Sequence, residues 1–349
     1  MLRVGIIGCG KIAELRHAPE YMENPACRLV GFYDFVPERA VALADKFEGK
    51  AFGAIEALLD SVDAVSVCSA NNAHASATIR ALENGKHVLC EKPMATTLAD
   101  CEAMVGAAAK AGRVLMLGHN QRFAPAHVRA RELIRSGAIG RPLMFHTMFA
   151  HSGPEVWTGT GNTWFFDRKR AALGALADLG IHKTDLIHYL LDEPIVRVSA
   201  FVRTLDKTYP DGAPITVDDN AICLYETKSG VVGQLHVSWT LYNGSEDNST
   251  RVYGTEGLLR IYDDPAYPLI LERRDGTREV YEVGQITTNE DQKAGRHSST
   301  GVIDAFVDTI VNGAENPALG VEAVKAMRVI FAAEESARTG RTIEVNRDE

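Results

Sequence analysis

Leu2-Arg3-Val4-Gly5-Ile6-Ile7-Gly8-Cys9-Gly10-Lys11-Ile12-Ala13 is the stretch from which the rest of the chain is read. Val4 to Ile7 is a short apolar run of the kind that forms a strand buried on both faces. The run breaks at Gly8, and Gly8-Cys9-Gly10-Lys11-Ile12-Ala13 fits G-x-G-x-x-A. Gly8 permits a tight turn, Gly10 lets backbone approach a pyrophosphate, and Ala13 lets the next helix lie close on the strand. That helix begins near Lys11 and Ile12, where free N–H groups and the helix dipole favour an anion. A second strand, Arg28 to Tyr33, ends at Asp34, which follows Ala13 by 21 residues. A carboxylate at about that spacing meets the ribose hydroxyls of a bound dinucleotide.

The totals set bounds on what this unit belongs to. With 349 residues the chain has room for two domains. It is 46% hydrophobic and 24% charged, ordinary for a globular protein. Its net charge of −9 argues against nucleic acid or an anionic membrane as the main partner. No apolar run reaches the roughly 18 residues of a transmembrane helix. The first strand starts at Leu2, leaving no room for a signal peptide. Six scattered cysteines without a C-x-x-C pair read as reduced, buried thiols, so a cytoplasmic location is expected.

Strand and helix signals alternate up to residue 117. Helices are expected over Pro37–Phe47, Ile55–Leu59, Ala75–Asn84 and Ala99–Ala111. Strands are expected over Lys50–Phe52, Ala64–Cys68, His87–Cys90 and Val114–Leu117. The alternation predicts a doubly wound parallel sheet, the α/β class, whose ligands bind beyond the carboxyl ends of the strands. The glycine turn, Asp34, Ser69–Asn72, Glu91–Pro93 and Gly118–Arg122 fall there. After about residue 120 the rhythm changes. A helix at Pro125–Ser136, a strand at Pro142–Ala150 and a Gly- and Trp-rich loop at 151–170 precede a long helix at 172–191. Extended segments then dominate to Val283, and two helices and a short strand close the chain. The reading is a first domain over 1–120 and an α+β domain over 121–349. The second carries a large, open, mostly antiparallel sheet, whose exposed face a second copy would cover.

Three groups of residues carry chemistry. Lys92 stands between Glu91 and Pro93 at a strand end, where partial desolvation makes a lysine a usable acid or hydrogen-bond donor. Equally, it reads as a surface lysine paired with Glu91. Asp178 and His182 are four apart on one helix, so they share a face, with Leu179, Leu186 and Leu190 on the other. A carboxylate beside an imidazole suits a base and its orienting partner, a capped surface pair, or two metal ligands; no third ligand is near in sequence. The loop with His151, Trp157, Asn162 and Trp164 offers aromatic and amide groups for a sugar pocket, or a tryptophan packed for stability. Its Arg168-Lys169-Arg170 triplet reads as a solvated turn.

In chain order these motifs are Gly8-x-Gly10-x-x-Ala13, Asn71-x-x-His74, Gly85-Lys-His-Val-Leu-Cys-Glu91-Lys92-Pro93, Arg122-Phe123, Gly137-x-Ile139-Gly140, Asp178-x-x-x-His182 and Gly254-x-x-Gly257. Together they resemble the glucose–fructose oxidoreductase/inositol dehydrogenase (Gfo/Idh/MocA) family over nearly the whole chain. The resemblance implies a Rossmann domain followed by an α/β domain that oligomerises, as a homodimer or homotetramer, through its sheet. It implies hydride transfer between nicotinamide and a hydroxyl-bearing carbon of a sugar or polyol, with NAD favoured by Asp34 and NADP possible because Arg39 is close. It implies that Lys92 contacts the reacting hydroxyl, His182 accepts its proton and Asp178 assists. Pro93 would place Lys92 through a cis peptide, and Asn71 and His74 would line the nicotinamide side. The cofactor set is then Gly8, Gly10, Lys11, Ile12, Asp34, Ser69, Asn71, His74, Glu91, Lys92 and Arg122. The substrate set is Lys92, His151, Asn162, Trp164, Asp178 and His182, with no metal. Relatives that cleave glycosides by transient oxidation, and a sensor that only binds the dinucleotide, are the alternatives. Two departures fall on the substrate side: Ala172-Leu173-Gly174 where many relatives have three glycines, and Trp164-Phe165 where many have Trp-Arg.

Overall fold

The computed structural model describes residues 1–243, 246–285 and 299–345. The chain forms two compact units, Met1–Asn120 with Thr287–Val324, and Gln121–Ile286 with Lys325–Glu349.

Among its described residues the first unit is built on six parallel strands: β1 (Leu2–Ile7), β2 (Cys27–Tyr33), β3 (Lys50–Ala51), β4 (Ala64–Val67), β5 (His87–Cys90) and β6 (Leu115–Leu117). Their order is β3-β2-β1-β4-β5-β6. Val4, Ile6, Val65, Val67, Val88 and Leu89 are all fully buried, which is why these strands read as unbroken apolar runs. The order reverses between β1 and β4, so the two strand ends Gly8 and Ser69 flank the crevice such a sheet offers a ligand. The helix after β4 spans Asn71–Glu83, four residues earlier than its apolar spacing indicates. Asn71 and His74 therefore stand in its first turn rather than in a loop.

The sequence reading placed everything after residue 120 in the second domain; residues 299–324 instead cluster with the first unit. Thr300 donates to Glu20 from its backbone N–H (3.2 Å) and its hydroxyl (3.1 Å). Asn24 Nδ2 donates to Asp304 (2.8 Å), and Leu117 N–H donates to the Ala318 carbonyl (3.0 Å). Sequence periodicity finds the helix Val302–Val311 but carries no signal of which sheet it returns to.

Among its described residues the second unit has nine strands: β7 (Pro142–Ala150), β8 (Ile195–Arg203), β9 (Asn220–Thr227), β10 (Val232–Ser238), β11 (Thr250–Gly254), β12 (Gly257–Ile261), β13 (Leu269–Arg273), β14 (Arg278–Tyr281) and β15 (Ile343–Glu344). Their order is β14-β13-β12-β11-β7-β10-β9-β8-β15, antiparallel except for the β7–β10 pair. The long helix lies against β7 and β10. It is not the amphipathic helix its spacing suggests, because Ile181 to His188 are all buried. Its polar residues are paired internally: Lys183 Nζ donates to the Asn248 carbonyl (2.8 Å), and Thr184 shares a hydrogen bond with Tyr225 (3.1 Å). Burial lowers Lys183 to about 7. No helix among the described residues is long and apolar enough to cross a membrane.

Candidate active site

In the first unit the dinucleotide cradle starts at Gly8, whose φ of +93° is left-handed territory. A Cβ there would stand 2.5 Å from Ser69 N, so both conformation and packing demand glycine. At Gly10 a Cβ would meet nothing within 4 Å, so the turn leaves open room. Asp34 is already oriented by the glycine turn. Its carboxylate accepts from Cys9 N–H (2.6 Å) and from Val36 N–H (2.8 Å). Open space beside a helix N-terminus and a fixed carboxylate at the end of β2 fit a dinucleotide's pyrophosphate and ribose. Lys11 is exposed and pairs with Glu14 (2.9 Å), while Ile12 caps the π-helical turn Ala13–His17.

That turn delivers His17 to the end of β5. His17 Nε2 meets Glu91 Oε1 at 2.9 Å, its Nδ1 meets Ser66 Oγ at 3.0 Å, and Tyr21 Oη meets Ser66 Oγ at 2.7 Å. Burial opposes charge on Glu91, but the His17 hydrogen bond and charge with nearby Lys92 and Arg16 hold it down at about 2. An ionised Glu91 accepts a hydrogen bond from His17 Nε2–H, so the chain runs from Tyr21 through Ser66 and His17 to Glu91. The other Glu91 oxygen accepts from Lys92 N–H (3.1 Å). Lys92–Pro93 is a cis peptide. Buried His74 contacts the Pro93 carbonyl through Nδ1 (2.8 Å) and the Ser69 carbonyl through Nε2 (3.0 Å). Burial lowers its pKa, and a neutral ring donates to only one of the two carbonyls. His74 thus ties the ends of β4 and β5 together. Asn71, one helical turn earlier, is buried as well.

In the second unit Asp178 lies in a π-helical turn, Leu176–Gly180, directly before the α-helix Ile181–Leu191 that carries His182. A π turn inserts a residue into the helical register, a distortion that recurs at functional sites. Asp178 is 7% exposed and His182 8%. Asp218 caps the turn's start with both oxygens, one accepting from Gly174 N–H and the other from Leu176 N–H, each at 2.7 Å. Burial raises Asp218 to about 6 against the pull of those two bonds. The Trp239 indole N–H donates to Asp178 Oδ2 at 3.2 Å. The His182 ring packs on Phe149, centroids 5.7 Å apart. Arg122, expected at the cofactor, points its fork at Asp185, with Nε and Nη2 at 2.8 and 2.7 Å. Asp185 is 1% exposed and sits three residues after His182, so this buried bidentate pair anchors the helix.

The remaining substrate candidates separate. His151 Nδ1 accepts from Gly153 N–H (2.9 Å), and its ring meets Phe149 edge-on at 6.0 Å. Trp164 stacks on Phe165 at 4.0 Å, and Phe165 touches Trp157 (5.4 Å) and Trp239 (6.5 Å) edge-on. Asn162 is exposed. Arg168 to Arg170 are exposed, with Arg168 paired to Glu334. Sequence reasoning missed His17, Asp185, Asp218 and Trp239. Each works through a partner 42 or more positions away, so none leaves a local pattern.

Comparison with known proteins gives consistent matches. Residues 2–119 match the profile of an oxidoreductase family with an NAD-binding Rossmann fold, and residues 127–260 that of the GFO/IDH/MocA C-terminal domain. The chain is 32% identical over 262 residues to 1,5-anhydro-D-fructose reductase of Ensifer adhaerens, covering 74% of this chain and 75% of that protein. It is 27% identical over 350 residues to inositol 2-dehydrogenase 3 of Saccharopolyspora erythraea, covering 99% and 95%. The crystal structure of aldose-aldose oxidoreductase from Caulobacter crescentus, complexed with glycerol, is 29% identical, with a TM-score of 0.82 and coverage of 98% and 99%.

Proposed function

Because the chain belongs to the GFO/IDH/MocA family of oxidoreductases, we propose that it is an NAD-dependent dehydrogenase of a sugar, polyol or related derivative. The observation that carries this reading is the buried carboxylate–imidazole pair, Asp178 and His182, on a helix whose start is distorted and fixed by Asp218. NAD, when bound, supplies the hydride acceptor. The backbone at Gly8 and Gly10 would hold the pyrophosphate, the Lys11–Ile12 helix start would favour its charge, and Asp34 would take the ribose hydroxyls. Lys92 donates a hydrogen bond to the reacting hydroxyl oxygen. His182 takes that hydroxyl's proton as the hydride leaves the same carbon, and Asp178 stabilises the imidazolium that forms. Pairing the two removals keeps charge from building on the substrate oxygen.

The test is a panel of sugars, polyols and sugar acids offered with NAD and with NADP, following the reduced cofactor. Turnover of at least one CH–OH compound is expected. NAD should be preferred about tenfold or more, because the Asp34 carboxylate repels a 2′-phosphate. An enzyme that binds NAD yet reduces it with no compound in the panel would refute the reading.

The partner is a small molecule and, on the sheet, a second copy of the chain. Phe201 (70% exposed), Ile222 (45%), Leu224 (59%) and Val232 (48%) lie on one face of β8, β9 and β10. Phe201 and Ile222 are paired across the ladder, and no element of this unit's described residues covers them. An apolar face of this kind is costly in water unless covered. Sedimentation at micromolar concentration should give a homodimer or homotetramer. Leu224→Asp should shift it to the 38.0 kDa monomer with far-UV spectrum unchanged. A wild-type monomer would exclude the interface.

A further inference from the structure

We propose that Trp239 is the positioning residue for the Asp178 carboxylate: its indole N–H fixes the direction in which that carboxylate works. The inference rests on Asp178 acting in hydride transfer as described above. Trp239 is fully buried. An indole has one hydrogen-bond donor and no acceptor, and a buried donor finds a partner. Here the partner is Asp178 Oδ2, 61 positions away, at 3.2 Å.

The ring cannot swing away from that partner. Its backbone N–H donates to the Asp219 carbonyl at 2.8 Å. Phe165 stands edge-on to the ring at 6.5 Å and Phe166 is tilted against it at 6.0 Å. Asp178 is held from the backbone side too, its N–H donating to the Gly174 carbonyl at 2.9 Å. Gly174 N–H in turn is gripped by Asp218.

Both grips come from one place. Asp218 and Asp219 immediately precede β9, and Trp239 immediately follows β10. These two strand ends are locked together in the antiparallel ladder, Ser238 opposite Asn220. One rigid strand pair therefore sets the start of the π turn through Asp218 and the carboxylate inside that turn through Trp239. A carboxylate on a turn freed from ordinary α-helical register needs such an external reference, because orientation errors of a small angle cost catalysis heavily.

The first arm of the test needs no substrate. The chain has 3 tryptophans, so a 15N–1H correlation spectrum holds three indole resonances. Trp239→Phe identifies one by deleting it, and Asp178→Asn should move that same resonance while leaving the other two in place. If Asp178→Asn leaves it unmoved, the bond is absent and the proposal falls, whatever the enzyme turns over. The second arm is kinetic. Trp239→Phe should lower kcat roughly 10- to 100-fold, the scale of a lost hydrogen bond to a charged group, with KM for NAD unchanged. In an Asp178→Ala background the same change should cost less than about threefold, because no acceptor is left for the indole N–H. An equal loss in both backgrounds means packing alone and overturns the proposal. Should Trp239→Phe fail to fold, β-(3-benzothienyl)alanine placed at position 239 keeps the ring shape and lacks the N–H. It should reproduce the loss in kcat, and wild-type turnover from it would refute the idea. If the panel of CH–OH compounds finds no substrate, the indole spectrum still decides the contact, so the two failures are distinguishable.

Discussion

His182→Ala is expected to lower kcat by about 10²- to 10⁴-fold, the range that positioned acid–base groups contribute. NAD affinity should stay within about threefold of wild type, because the residues assigned to NAD lie at Gly8, Gly10 and Asp34 in the other compact unit. The two measurements separate chemistry from folding. His182 is 8% exposed, so its removal also takes away packing against Phe149, and the thermal midpoint should fall by a few degrees. A loss confined to stability, with turnover of the true substrate intact, would remove His182 from the proton-transfer role. Stopped-flow with excess enzyme should place the lost rate in the first turnover, since proton abstraction accompanies hydride departure.

Gly174→Ala should destabilise the protein by about 3 kcal/mol or more, above the centre of the usual range for overpacking. A Cβ at Gly174 would stand 1.8 Å from the Asp218 carbonyl oxygen and 3.0 Å from a Val217 methyl. Backbone cannot yield there without breaking the cap, since Ala175 N–H donates to that same carbonyl (3.0 Å) and Asp218 grips Gly174 N–H. The damage reaches Asp178 directly, whose N–H bonds the Gly174 carbonyl. Activity should therefore fall in the fraction that still folds. Two residues earlier the sign reverses. Ala172 holds φ 69° and ψ −57°, an arrangement unfavourable for any residue with a Cβ. Ala172→Gly should be neutral to about 1 kcal/mol stabilising, because relief of strain offsets the extra freedom glycine gains on unfolding. Urea denaturation of both variants checks the pair. A Gly174→Ala protein as stable as wild type would show that the turn yields more easily than its packing indicates.

The contrast between these two positions explains the departure from the three-glycine run of many relatives. Only the last of the three sites has no space for a side chain. At Ala172 the chain tolerates a methyl group at the cost of backbone strain; at Gly174 the Asp218 carbonyl already occupies the volume.

Much of the cofactor half was legible because its signals are local. Gly8, Gly10 and Asp34 follow the period of strand, turn and helix, and the structure places them at adjoining strand ends with Asp34 bonded to the turn. Asp178 and His182 were visible as a pair for the same reason. Their surroundings were not. The spacing predicts an amphipathic stripe on the helix, yet it is buried on every side, and its Lys183 and Asp185 are paired internally. The π turn left no mark either, since one extra residue in a turn does not disturb an already apolar pattern. The Arg122–Asp185 pair left no mark either, because its two residues lie 63 positions apart.

From its residues alone the chain determined the parallel sheet, the glycine turn, the Asp34 carboxylate at the end of β2 and the spacing of the carboxylate–imidazole pair. All of these are set by neighbours within a strand or a helical turn, where backbone geometry is fixed by nearest-residue sterics. Tertiary structure alone decided that residues 299–324 return to the first unit, that His17 grips Glu91, that Arg122 belongs to Asp185, and that Trp239 and Asp218 hold the turn around Asp178. Each of those is a pairing of buried polar groups across a long loop of chain. Desolvation forces every such group to find a partner, and only packing determines which one is within reach.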